Sequence, residues 1–431
     1  MNNTDYKQTE IGEIPQSWNL VPFGSLLVNK VKNGIYKPKK FHGSGTKVIN
    51  MGEIFGYDYL GVQEMQKVQL DDNEKTNFIV KIGDLLFARR SLVAEGAGKC
   101  SLVVEHDEPL TYESSIILAR PDEKKADSNY LLYYFQSPLG RYVIGSILRQ
   151  VAVSGITGTD LMGVKVIYPS LPEQKNIAKT IFDIDKKIEL NNRINNNLEK
   201  IGESLFKRWF VDFEFPNEEG KPYISSGGEM VVYELGKIPK GWEVKSLDDI
   251  ANFLNGIACQ KYPAINEADS MPVIKIADLR GGFTQNSDKA SSKIDKKYHV
   301  VNGDVLFSWS GSLEVCLWPY DDGILNQHLF RVTSENYPKW FYYHWILVHL
   351  PDFRTIASGK ATTMGHIQRR HLTNAKVFVP DKPTLGLMSS IMQPLLEKII
   401  SNNREIAYLK SLRDSLLPRL MSGKLRIYGN N

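Results

Sequence analysis

The chain has 431 residues, of which 42% are hydrophobic and 24% charged, with a formal net charge of +4. At roughly 100–200 residues per domain, two or three domains are expected, each large enough for its own core. The mildly basic balance is compatible with nucleic acid without requiring it, and no run of about 18 apolar residues offers a membrane span.

The first twenty residues are polar, so no signal peptide is expected. A stretch around Ile14-Pro15 and Trp18 leads into a basic loop, where Lys30, Lys32, Lys37, Lys39 and Lys40 surround Tyr36. Short β-rich runs follow, separated by Gly, Asp and Asn turns. One of them contains Gly83-Asp84-Leu85-Leu86-Phe87 and ends in Arg89-Arg90-Ser91. A short helix is expected near Tyr130–Ser137. Arg149-Gln150 then precedes a Gly/Ser/Thr loop from Ser154 to Thr159 that includes Thr157, and Lys165–Pro169 reads as a last strand.

From Pro172 to Phe210 the pattern changes to a long helix with apolar residues on a seven-residue repeat. One row is Ile177, Ile184, Asn191, Leu198, Leu205, and the other is Ile181, Ile188, Asn195, Gly202, Trp209. At 1.5 Å per residue such a helix spans roughly 55–60 Å, longer than a globular domain usually needs. The Gly-, Ser-, Pro- and charge-rich stretch Val211–Val231 reads as a connecting arm.

The order of features then repeats. Ile238-Pro239 with Trp242 matches Ile14-Pro15 with Trp18, and Asn255-Gly256-Ile257 matches Asn33-Gly34-Ile35. Gly303-Asp304-Val305-Leu306-Phe307 matches Gly83 to Phe87, and Lys376–Pro380 matches Lys165–Pro169. A second long helix follows from Pro383, with rows Met388, Leu395, Asn402, Leu409, Leu416 and Met392, Ile399, Ile406, Arg413, Leu420. Asn402-Asn403-Arg404 repeats Asn191-Asn192-Arg193, so a polar residue interrupts both seams at the same point. Matches in one order along both halves signal an internal duplication.

The fold expected is α+β, with two similar mixed α/β domains, two long antiparallel coiled-coil helices and a pseudo-twofold repeat. The boundaries expected are 1–170, helix 171–211, arm 212–234, 235–381 and helix 382–425. Helix pairing is assigned to Ile184, Ile188, Asn191, Leu198, Leu395, Ile399, Asn402 and Leu409, with the Asn191 and Asn402 layers near the centre. A two-domain ruler of this kind suits duplex DNA, whose successive turns lie roughly 34 Å apart. Pro394 is expected to kink the second helix or to mark its true start.

Reaction chemistry is hard to find. Glu95 to Cys100 glances at a phosphate loop, but Val93 and Cys100 stand where Gly and Ser or Thr are required. No dinucleotide fingerprint, metal-type histidine pair or amino-methyltransferase tetrapeptide is present, and Pro121–Lys124 reads as a loop. The three cysteines form no CxxC and read as reduced thiols of a cytoplasmic protein.

Basic, polar and small residues in the loops remain, a pattern suited to phosphate contact and base-edge reading. The first copy offers Lys32, Tyr36, Lys37, Lys39, Lys40, Arg89, Arg90, Ser91, Arg149 and Thr157. The second offers Lys261, Tyr262, Ser308, Trp309, Ser310, Gln327, His328, Lys360, Thr362, Thr363, His366, Arg369 and Arg370. The two sets differ, so two different half-sites are expected. A degenerate enzyme and a purely structural coiled-coil adaptor are the rival classes.

Over nearly its whole length the sequence resembles the specificity subunits of type I restriction–modification enzymes. The resemblance rests on Ile11 to Pro15 with Trp18, Leu235 to Pro239 with Trp242, and Gly303 to Gly311 with Leu325 to His328. Pro169 to Gln174, Leu205 to Glu214 and Leu416 to Leu425 complete it, although Pro383-Thr384-Leu385 lacks the Glu173-Gln174 pair. It implies a non-catalytic subunit whose two domains each read half of a bipartite double-stranded DNA site. It further implies helices that set the spacer, assembly with two methylation subunits and with restriction subunits, and S-adenosylmethionine, ATP and Mg bound by those partners.

Overall fold

A computed structural model describes residues 6–92, 96–149, 154–233, 236–284, 286–359 and 365–427. The chain divides into two compact units, Met1–Lys186 joined by Lys410–Asn431, and Lys187–Leu409.

In the first unit a hairpin, Tyr6–Thr9 with Gly12–Pro15, precedes strand Asn19–Pro22, which pairs antiparallel with Lys165–Tyr168. The main sheet runs in the order Lys32–Asn33, Ile116–Ala119, Leu85–Ala88, Cys100–Val103, Tyr59–Leu60. Its central strands are buried along their whole length, which explains why they are apolar except for Ser101, whose hydroxyl donates to Tyr57 O at 2.8 Å. A second sheet sets His42–Ile49 between a parallel Leu110–Tyr112 and an antiparallel Lys67–Val68. Helix Ser128–Gln136, capped by the Asp127 carboxylate, buries Tyr130 through Phe135 in this core.

The second unit repeats the plan. Hairpin Met230–Tyr233 with Gly236–Pro239 comes first, then the pair Glu243–Ser246 with Lys376–Val379. The main sheet is Asn252–Asn255, Leu329–Thr333, Val305–Ser308, Val315–Leu317. In the other four-stranded sheet Ser270–Ile274 again pairs parallel with one strand, Gly323–Leu325, and antiparallel with another, Lys289–Ser291. The duplication therefore extends from letters to the pairing of the central strands, although the main sheets have five and four strands and the second sheets three and four.

The repeated Gly-Asp dipeptides have a specific job. Gly83 and Gly303 take φ of 90° and 88°, conformations that favour glycine. Each following carboxylate closes the turn by accepting a backbone N–H, Asp84 from Lys81 at 2.7 Å and Asp304 from Val301 at 2.9 Å. Each also pairs with an arginine on or just after the neighbouring strand of the sheet, Asp84 with Arg120 at 2.6 Å and Asp304 with Arg331 at 2.9 Å. Asp84 is almost fully buried, so without Arg120 its charge would be costly.

The two long helices run Leu171–Phe210 and Lys382–Met421. In the first unit Ile177, Ile181, Leu420 and Met421 share one core. Arg413 there meets Asp185 at 3.0 Å and Arg426, just past the second helix, meets Glu173 at 2.6 Å, so the two helices run antiparallel. The Glu173-Gln174 pair ties the helix to its domain. The Glu173 carboxylate accepts from Trp18 Nε1 at 3.0 Å, and the Gln174 amide bonds to Asp127 N and Pro169 O.

In the second unit Phe206, Trp209 and Phe210 share a core with Met388, Met392, Leu396 and Ile399, again antiparallel. The polar layer interleaves: Asn191 donates to Glu405 at 2.9 Å, Asn195 to Asn403 at 2.8 Å and Asn402 to Asn195 at 2.8 Å. Asn402 thus meets Asn195, one turn on from Asn191. Every residue of the four seven-residue rows is buried or half-buried.

Contrary to expectation, the C-terminal helix neither starts nor breaks at Pro394. Pro394 and Ser390, whose carbonyl loses its partner, are both exposed, so water can replace the missing bond. Pro383 sits in the first turn, where a missing N–H costs nothing. That helix start uses Asp381 as its cap, whose Oδ1 accepts from Thr384 N at 2.9 Å, in place of a Glu-Gln pair. Among the described residues no helix is long and apolar enough to cross a membrane.

Candidate nucleic-acid interface

Each main sheet ends in its own loop cluster of equivalent plan, built by backbone pairing. In the first unit Gly34 N donates to Ile116 O at 3.0 Å and Ile35 N to Tyr112 O at 3.0 Å. Arg89 N donates to Ser115 O at 2.8 Å, and Ile156 N to Arg89 O at 3.0 Å. In the second unit the same bonds join Gly256 to Leu329 at 3.0 Å and Ile257 to Leu325 at 3.1 Å. Trp309 N reaches His328 O at 3.3 Å and Ile367 N reaches Trp309 O at 3.0 Å. Thus 33–36, 89–91, 113–115 and 155–157 converge in one unit, and 255–258, 309–310, 326–328 and 365–367 in the other. Gly34 and Gly256 are required because a Cβ at either would collide with the carbonyl it crosses, that of Glu113 or Asn326.

In the first cluster Arg90 is exposed and Arg89 half-buried. Arg149 and Thr157 share one carboxylate, Asp160, at 2.8 and 2.7 Å. The Thr157 hydroxyl and then the Arg149 guanidinium hold that carboxyl below its usual range. Ser91 is buried within the turn. The lysine loop is not uniform. Tyr36, Lys39 and Lys40 are exposed. Lys37 is committed to Glu74 at 2.6 Å, and Lys32 lies 4.0 Å over the Phe78 ring with its Nζ donating to Asn77 O.

The second cluster is more densely bonded. Trp309 Nε1 donates to Asn255 Oδ1 at 2.9 Å and to Gln327 O at 3.1 Å. The Ser310 hydroxyl meets His328 Nδ1 at 3.0 Å, and the His366 ring packs edge-on against Trp309 at 6.3 Å. The Arg369 guanidinium lies 6.0 Å from the Phe330 ring and donates to Phe253 O, whereas Arg370 is exposed. Lys261 and Tyr262 lie exposed on the turn after Ile257. Beside them a cleft of about 660 Å³ is lined by Lys275, Asp288, Lys289, Gln327 and His328.

Ser308 leaves the candidate set. Its hydroxyl is fully buried, donates to Ser312 O and accepts from Glu314 N, so it closes the turn and cannot reach a ligand. Lys360, Thr362 and Thr363 lie outside the described residues. Sequence reading missed Glu113 to Ser115, which occupy the place of Asn326 to His328, and it treated Asn255 only as a repeat marker. The available signal was position, since both triplets precede the apolar strand that follows the Gly-Asp turn. Glu113 itself is spoken for: its carboxylate accepts from Met51 N at 2.8 Å. Among the described residues no group of three His, Cys, Asp or Glu could hold a metal ion.

The sequence model of the family described as "Type I restriction modification DNA specificity domain" matches residues 15–200 and 239–411, one copy on each half of the chain. This chain belongs to that family. Its similarity to some individual members runs over nearly the whole length of both chains. The Type I restriction enzyme MjaIX specificity subunit of Methanocaldococcus jannaschii is 28% identical, with 98% of this chain and 97% of that protein covered. The Type I restriction enzyme HindI specificity subunit of Haemophilus influenzae is 21% identical, with 88% and 94% covered. In fold, the type I restriction–modification S subunit of M. genitalium superposes with a TM-score of 0.57 at 14% identity, covering 97% of both chains.

Proposed function

We propose that this chain is the non-catalytic, sequence-reading subunit of a type I restriction–modification assembly, working on double-stranded DNA in the cytoplasm. Each loop cluster reads one half of a bipartite, asymmetric site, and the helix pair sets the unread spacer and docks two methylation subunits. Restriction subunits join for cleavage. S-adenosylmethionine, ATP and Mg act in those partners.

The observation that carries the reading is one backbone scaffold present twice with different side chains at its strand ends. Arg89-Arg90-Ser91 and Glu113-Ser114-Ser115 stand in one, and Trp309-Ser310 and Asn326-Gln327-His328 in the other. A duplicated scaffold with divergent tips suits a reader of two unlike half-sites, because phosphate contacts position the protein and base-edge contacts specify. Tyr36, Lys39, Lys40, Arg90 and Arg370, all exposed, are assigned to DNA contact. Arg89, Arg149, Thr157, Lys261, Tyr262, His366 and Arg369 belong to the same set.

The test is domain exchange. Replacing residues 12–165 by those of another family member, then mapping methylated adenines with the partner subunits present, is expected to change one half-site only. A change in both halves overturns the assignment. Turnover of DNA by the purified chain alone, with Mg and S-adenosylmethionine, overturns the non-catalytic reading.

A further inference from the structure

We infer that Gln327 reads an adenine in the half-site of the second unit, with Ser310 and His328 holding its carboxamide in the reading orientation. The inference rests on the proposed DNA-reading role and adds a residue and a base to it.

The backbone of Gln327 is fixed on both sides. Its N–H donates to Ile257 O at 2.9 Å, and its carbonyl accepts from Trp309 Nε1 at 3.1 Å. The side chain is fixed by its neighbour, with Gln327 Nε2 lying 3.4 Å from His328 Nε2. An amide nitrogen can only donate, so a neutral His328 ring accepts at Nε2 and carries its proton on Nδ1. That proton points at the Ser310 oxygen, 3.0 Å away on a side chain 4% exposed. The chain of bonds leaves Gln327 with one amide N–H and Oε1, which accepts no hydrogen bond among the described residues. Gln327 is half-buried in the lining of the 660 Å³ cleft, with Lys289 beside it for phosphate, whereas Lys275 is paired with Asp288. One donor next to one acceptor matches a single base in the major groove: adenine presents N7 to accept and N6 to donate, whereas guanine presents two acceptors. Asn255 makes a contrast, since its Oδ1 is taken by Trp309 and only its donors remain.

The test uses the chain assembled with its methylation subunits. Binding is measured on its mapped site and on duplexes carrying 7-deaza-adenine at each adenine of the two halves. At one position of the second half, 7-deaza-adenine is expected to weaken wild-type binding by about 5- to 150-fold. Gln327→Glu, which can only accept, is expected to lose that discrimination and gain tolerance of cytosine there, with the first half-site read as before. His328→Ala is expected to lower the same discrimination while the dependence of binding on salt, which reports phosphate contacts, stays unchanged. Unaltered base preference in Gln327→Glu, or a uniform loss at all positions, overturns the inference. Absence of any sequence preference in the wild-type assembly would instead sink the DNA-reading role itself.

Discussion

Asn402 Nδ2 donates to Asn195 Oδ1 at 2.8 Å within the polar layer of a largely apolar seam, and both side chains are buried. Asn195 in turn donates to Asn403 at 2.8 Å, so the carboxamides form a chain across the two helices. Truncation of Asn402 to Ala strands the Asn195 oxygen away from water. A loss of about 1–3 kcal/mol is expected, read as a lower urea midpoint. Replacing both residues by Leu removes both unmet needs together and is expected to cost little or to stabilise. The price falls on register: without the polar layer the two helices can slide, and the double variant should lose sharpness of spacer recognition before it loses stability.

His344 gives the second unit an acid-sensitive point. The ring is buried, stacks on Phe206 at 5.2 Å and donates from Nδ1 to Trp340 O at 2.8 Å. Burial pushes its pKa from 6.5 down to about 4. The unfolded chain therefore takes up a proton between these values that the folded chain refuses. Stability is fully present above about pH 6.5 and is lost as pH falls towards 4, by about 3 kcal/mol. His344→Leu is expected to flatten that slope in unfolding curves taken from pH 7 to 4. An unchanged slope would assign the acid sensitivity to other groups.

The sequence made the duplication and both helical seams legible because both are periodic signals. Heptads repeat every seven residues, and Gly-Asp-Leu-Leu-Phe recurs as Gly-Asp-Val-Leu-Phe because the same left-handed turn and buried carboxylate are needed twice. What stayed hidden depends on contacts between distant residues. Nothing local says that Lys37 is spent on Glu74, that Ser308 turns inward, or that Gln327 is held through His328 by Ser310. Pro394 misled for a related reason. A helix pinned by apolar packing on one face tolerates a missing bond on the face towards water, and only burial tells the two faces apart.

Gly34 and Gly256 separate the two reading clusters experimentally. Neither has a positive φ, and each is required by the carbonyl directly across it, from Glu113 or Asn326. An added methyl must push the neighbouring loop away, at a cost of about 1–3 kcal/mol. Gly34→Ala is expected to blur recognition of the half-site read by the first unit and leave the other intact, and Gly256→Ala to do the reverse. Binding competition with duplexes altered in one half at a time checks both. Loss of both half-sites in either variant would show that the clusters are not independent.

Insertion of one helical turn tests the spacer role. Four residues added after Leu190 in the central helix lengthen it by about 6 Å and rotate the following residues by roughly 40°. The added turn displaces the Asn191–Glu405 and Asn195–Asn402 bonds from their present partners, so a loss of stability similar to that of the single Asn402 variant is expected alongside. The methylation map should then keep the bases of both half-sites and place them farther apart. An unchanged spacer with both half-sites still read would mean that something other than the helix pair sets their separation.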